Sequence, residues 1–163
     1  MSEKKRRVLS VVLICLCIVT VAFIWGNSML GSKASSNVSN SVLDALDPII
    51  RRFGIVSKND LWLRKLAHFT EFAALGAELL FLAAVNRKSG FQTGSNCAFA
   101  SLLVALTDET IQLTSGRNSQ VLDVLLDFSG ALNGILIAWL ICRLIKRHHR
   151  KRTKQYTSRQ LIF

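Results

Sequence analysis

The sequence predicts an all-α membrane protein: four transmembrane helices in a bundle, with a short amphipathic helix in the first outer loop. Three observations point there. Val8–Trp25 runs 18 residues without a charge, about 27 Å of helix and nearly the depth of a bilayer's hydrocarbon core. Further apolar blocks follow, so that 50% of the 163 residues are hydrophobic. One Pro, nine Gly and 19% charged residues exclude a disordered or collagen-like chain. A net charge of +11 would suggest nucleic acid in a soluble chain. In a membrane chain it reads first as topology, and no nucleic-acid partner is expected.

Residues 1–25 form a basic start and first anchor. Lys4, Lys5, Arg6 and Arg7 precede an apolar run longer than the ~7–15 residues of a cleaved signal's core, so an uncleaved anchor is expected. Residues 26–61 form an outer loop. Its front, Ser35–Ser41, is Ser/Asn-rich and reads as a linker. Behind it Val42, Leu46, Ile49, Ile50 and Phe53 share one helical face, the expected amphipathic helix on the outer leaflet or over the bundle.

Residues 62–142 hold a three-helix polar core. Its spans are Trp62–Val85, opened by the capping candidates Asn59 and Asp60; Cys97–Leu113, apolar only to Leu106; and Val121–Cys142. Residues 143–163 are a basic cytoplasmic tail, read as a stop-transfer and anionic-lipid anchor. His148 and His149 belong to it. Cys15, Cys17, Cys97 and Cys142 all lie in apolar blocks with no metal or disulfide spacing, and read as small buried hydrophobes.

Orientation follows from basic residues near span ends. With the amino terminus inside, the cytoplasmic segments carry Lys4–Arg7, Arg87, Lys88 and eight tail residues, fourteen against seven outside. Both termini are therefore expected in the cytoplasm of a multi-pass plasma-membrane protein.

Ionisable groups inside spans are costly unless paired or wet, which makes them functional candidates. The second span carries Arg64, His68, Glu71 and Glu78 along one stripe, with Lys65 beside it. The third ends in Asp108-Glu109-x-x-Gln112, and the fourth opens with Asp123 and Asp127, then Gly130 and Gly134. Glu71 lies nine residues below Trp62, about 13 Å deep, and Asp108 and Asp127 lie about 10 Å below their outer ends. Three segments thus bring polar groups to one depth, with Arg117 in the loop above. Five carboxylates cannot all stay charged in a dry site. An interhelical polar lock, an outward-opening ligand site and a metal site all remain readings. A single intramembrane His argues against metal, so no metal and no cofactor is expected. Gly130-x-x-x-Gly134 reads as a close helix contact. No Gly-x-Ser-x-Gly elbow, Walker loop, dinucleotide fingerprint or His-Glu-x-x-His is present.

Lys65-x-x-His68-Phe69-x-Glu71-Phe72-x-x-Leu75-Gly76, Asp108-Glu109-x-x-Gln112-x-x-x-Gly116-Arg117 and Asp123-x-x-x-Asp127-x-x-Gly130-x-x-x-Gly134 closely resemble the VanZ-like family, in order and spacing. The family usually has Tyr in place of Phe72 and Asn in place of Asp127. Its founding member is associated with resistance to the glycopeptide teicoplanin, in which less drug reaches or binds its cell-wall target. The resemblance implies a bacterial cell-envelope membrane protein and brings no established reaction.

The combined expectation is an outward-facing polar pocket that binds or senses an envelope component and lowers glycopeptide access. Its ligand-binding set is Lys65, His68, Glu71, Asp108, Glu109, Gln112, Arg117, Asp123 and Asp127. Alternatives are an enzyme on a lipid-linked envelope substrate, with Glu71, Asp108 and Glu109 as acid/base groups and Lys65 and Arg117 holding phosphate or carboxylate, or a small proton-coupled carrier. Expected partners are membrane lipids and a lipid-linked cell-wall component or lipoglycopeptide. A bundle this thin leaves homo-oligomerisation open.

Overall fold

The structure, a computed structural model, describes residues 2–29, 60–115 and 120–160. Four helices make up the fold: α1 (Glu3–Met29), α2 (Asp60–Val85), α3 (Phe91–Thr114) and α4 (Val121–Gln160). Among the described residues there is no strand. α1, α2 from Arg64 and α4 as far as His148 are long and apolar enough to cross a membrane. The expected amphipathic helix over Val42–Phe53 and the candidate Arg117 lie outside the described residues.

The helix limits differ from the sequence expectation: α1 begins at Glu3, before Val8, and α2 at Asp60, before Trp62. α1 continues four residues past Trp25, because Asn27 and Ser28 find partners inside the bundle. α3 starts at Phe91 rather than Cys97. Its 24 residues give about 36 Å of helix, so length does not limit it. Its polar last turns keep it out of the set of strongly apolar spans. α4 runs on through the basic segment to Gln160 instead of ending at Cys142.

Neighbouring helices alternate in direction. Ser10 Oγ donates to Asn86 Oδ1 at 3.2 Å, and Thr20 Oγ1 to Glu78 Oε1 at 3.0 Å. Asn27 Nδ2 donates to Glu71 Oε1 at 3.1 Å, fixing an antiparallel register between α1 and α2. α2 and α4 run parallel and share the most extensive interface. A Cβ on Gly130 would collide with the Phe69 carbonyl, one on Gly134 with the Ala73 carbonyl, and one on Gly76 with the Ala131 carbonyl. The absence of side chains at these three positions is what lets the two backbones touch.

α2 closes with a Schellman-type turn. Lys88 N–H reaches Ala83 O at 2.9 Å and Arg87 N–H reaches Ala84 O at 3.1 Å. Arg87 sits at φ 59, a left-handed conformation more often filled by Gly. Ile24, Phe72, Leu75, Ala105, Val124 and Ala131 pack the core at the end where α2 begins. Leu80, Cys97 and Ala138 pack it nearer the other end. Apart from Ile24 and Ser28, α1 lies on the outside of this core. Val11, Val12, Ile18 and Val19 are each more than half exposed, an apolar surface suited to lipid rather than water.

Candidate functional site

The polar residues gather at the end where α1 and α3 finish and α2 and α4 begin. α2 presents Lys65, His68 and Glu71 from successive turns of one side. α3 turns Asp108, Glu109 and Gln112 inward, all buried. α4 supplies Asp123 and Asp127 one turn apart, and the small residues below them allow the helices to close around the acids. The site is graded in exposure. Lys65 Nζ lies 2.7 Å from Asp123 Oδ1 at the rim, with side chains 43% and 24% exposed. At the floor Asp108 is 0% and Asp127 2% exposed.

His68 is the centre of the arrangement. Its Nδ1 stands 3.8 Å from Asp108 Oδ2 and 3.9 Å from Glu71 Oε2, close enough for charge attraction and too long for a hydrogen bond. Gln112 Nε2 donates to Asp108 Oδ2 at 2.8 Å and to Ser28 Oγ at 3.4 Å. The backbone N–H of Gln120 donates to Glu109 Oε1 at 2.8 Å, so Glu109 also holds the entry to α4. Among the described residues, His68 Nδ1, Glu71 Oε2, Asp108 Oδ1, Glu109 Oε2 and Asp127 Oδ1 are buried at this end without a hydrogen-bond partner, and Trp25 Nε1, Arg64 Nε and Glu78 Oε2 share that condition.

Eight of the nine sequence candidates thus lie at one end of the bundle. The ninth, Arg117, lies outside the described residues. Asn27 and Ser28 of α1 join the site without having been expected. They follow the apolar run directly and read as the start of a loop. Their one signal is that a helix continued by a turn would carry two amide and hydroxyl groups to the same depth as Glu71. Glu78 lies deeper along α2 and accepts its bond from Thr20, a contact between helices rather than part of the cluster.

Chemically, the described residues of the site offer carboxylates, the His68 imidazole, amides and the Lys65 ammonium. One ligand atom each from His68, Asp108 and Asp127 lie within 4.8 Å of one another. A single cation would reach all three, although the sequence, with one His inside the expected spans, led to no metal being expected. The same geometry suits a shared proton or the donor groups of a polar ligand. Two clefts among the described residues lie toward the opposite end. The floor of the acidic site is packed, and its exposed side is the Lys65–Asp123 rim.

A family model described as VanZ/LLP1 matches residues 9–143. No curated protein and no solved structure matches the chain.

Proposed function

Because the chain belongs to the VanZ/LLP1 family, we propose that it is an integral membrane protein of the bacterial cell envelope that lowers susceptibility to glycopeptides such as teicoplanin. In this reading the acidic end faces outward, both termini are cytoplasmic, and the site takes a polar envelope component, a lipid-linked cell-wall precursor or the drug's own lipid-bearing form. Lys65 and Asp123 form the entrance. His68, Glu71 and Asp108 then supply donors and acceptors to the bound group.

One observation carries the choice of a ligand site over a polar lock. A purely structural network satisfies its buried groups. Here five buried atoms at one place, His68 Nδ1, Glu71 Oε2, Asp108 Oδ1, Glu109 Oε2 and Asp127 Oδ1, have no hydrogen-bond partner among the described residues, and they belong to three different helices. A bound ligand supplies what the described residues do not.

The test compares Glu71→Gln and Asp108→Asn with the parent in a teicoplanin-susceptible host, reading the inhibitory concentration and the membrane abundance together. The expected result is lost protection at near-normal abundance, because an amide keeps hydrogen bonding but cannot ionise. Protection and abundance falling together would identify a lock. Full protection by both variants at normal abundance would remove the site altogether.

A further inference from the structure

At the opposite end of the bundle a cleft of about 570 Å³ opens between the end of α2, the start of α3 and the middle of α4. Its chemistry is divided. Part of the lining is apolar, with Leu80 and the half-exposed Leu132, Leu136 and Trp139 among its residues. The mouth carries Lys88, Arg143, Lys146 and Arg147, and no Asp or Glu lines the cleft. The Arg143 guanidinium stacks 5.0 Å over the Trp139 ring, which holds the cation against the cleft wall.

The start of α3 adds further anion-binding chemistry. Ser89, Gly90, Thr93 and Gly94 line the same space. Gly90 caps this 24-residue helix with no side-chain hydrogen bond, so the first-turn N–H groups have no capping side chain and the positive end of the helix faces the cleft. A phosphate placed there would meet backbone donors, two hydroxyls and four cations. The depth also fits. Arg143 lies 22 residues beyond Val121, about 33 Å along the helix, which is where a core about 30 Å thick gives way to headgroups.

We propose that this cleft is a binding site for one anionic glycerophospholipid, its phosphate held at the α3 start by the four cations and an acyl chain lying along the apolar wall. A charged group at headgroup level joined to a hydrocarbon chain matches both halves of the lining. A free anion would leave the apolar wall uncovered. This goes beyond the glycopeptide reading and does not depend on it: the two sites lie at opposite ends and share no residue.

Trp139 makes the occupant measurable. The full chain, with Trp25 and Trp62 changed to Phe, is placed in phosphatidylcholine vesicles containing a few mole per cent of brominated phosphatidylglycerol or brominated phosphatidylcholine. The anionic lipid is expected to quench Trp139 at roughly tenfold lower mole fraction, as paired cations favour an acidic lipid over a zwitterionic one. Gly94→Leu, which adds a side chain where nothing lies within 4 Å of the Cβ position, should fill the cleft and abolish the preference with every cation in place. Lys88→Gln with Arg147→Gln should abolish it with the walls intact, and circular dichroism checks that both variants stay helical. Equal quenching by the two lipids would overturn the proposal. So would a preference that survives both variants, which would assign it to the tail's general charge. Loss of the preference on adding millimolar inorganic phosphate would make the site one for free anion instead.

Discussion

Asp127 is 2% exposed and sits among Glu71, Asp108, Glu109 and Asp123. Lys65 is already engaged with Asp123 at the rim, while a ring nitrogen of His68 lies within 4.8 Å of an Asp127 oxygen. Asp127→Asn removes one charge from this crowd at nearly constant volume and adds an amide donor facing oxygen acceptors. The expected outcome is a stability equal to the parent or higher by about 1 kcal/mol, read from thermal unfolding in detergent, with teicoplanin protection retained. A damaging Asp127→Asn would assign the acid itself an essential role. At this scale the sequence was informative where polarity is unusual: His68, Glu71, Asp108 and Asp127 stand out because they interrupt apolar runs. Asn27 and Ser28 do not stand out, since polar residues after a span are ordinary. Only the neighbouring helices show that α1 carries them inside.

At the scale of helices, the fold depends on α2 and α4 touching along their backbones. Gly134→Val would drive a branched side chain into the Ala73 carbonyl, a rigid obstacle, and overpacking of this kind costs about 1–3 kcal/mol or more when backbones must part. A large fall in the thermal midpoint and in membrane abundance is expected. Gly26→Leu is the matched control: nothing lies within 4 Å of its Cβ position, and replacing a helical Gly should be neutral or favourable. If the two variants melted alike, the close α2–α4 contact would not be supporting the bundle. The Gly130-x-x-x-Gly134 spacing pointed to a close contact but carried no information about the partner, because Phe69, Ala73 and Gly76 look unremarkable until a second helix is laid against them. Helix ends were read less well for a related reason. Hydropathy marks where lipid contact stops. The helical backbone of α1, α3 and α4 continues beyond that point, for as long as its groups find partners or water.

Taken as one molecule, the bundle is electrically polar. Glu71, Asp108, Glu109, Asp123 and Asp127 occupy one end, while Arg87, Lys88, Arg143, Lys146 and Arg147 occupy the other. The alternating helix directions produce this separation among the described residues: α2 and α4 both start at the acidic end, where Lys65 pairs with Asp123, and finish at the basic one. The positive-inside rule counts basic residues and gives acids little weight, so the expected orientation has the basic end, and with it both termini, on the cytoplasmic side. Cysteines introduced singly at Ser36 and Ser158, in a background with Cys15, Cys17, Cys97 and Cys142 changed to Ala, test this on whole cells. An impermeant thiol reagent should label the first and spare the second until the membrane is opened. The opposite pattern would turn the acidic site toward the cytoplasm, where an extracellular glycopeptide cannot meet it, and would put the anionic-lipid cleft in the outer leaflet. Orientation therefore decides which leaflet each end serves, while leaving the contacts within the bundle unchanged.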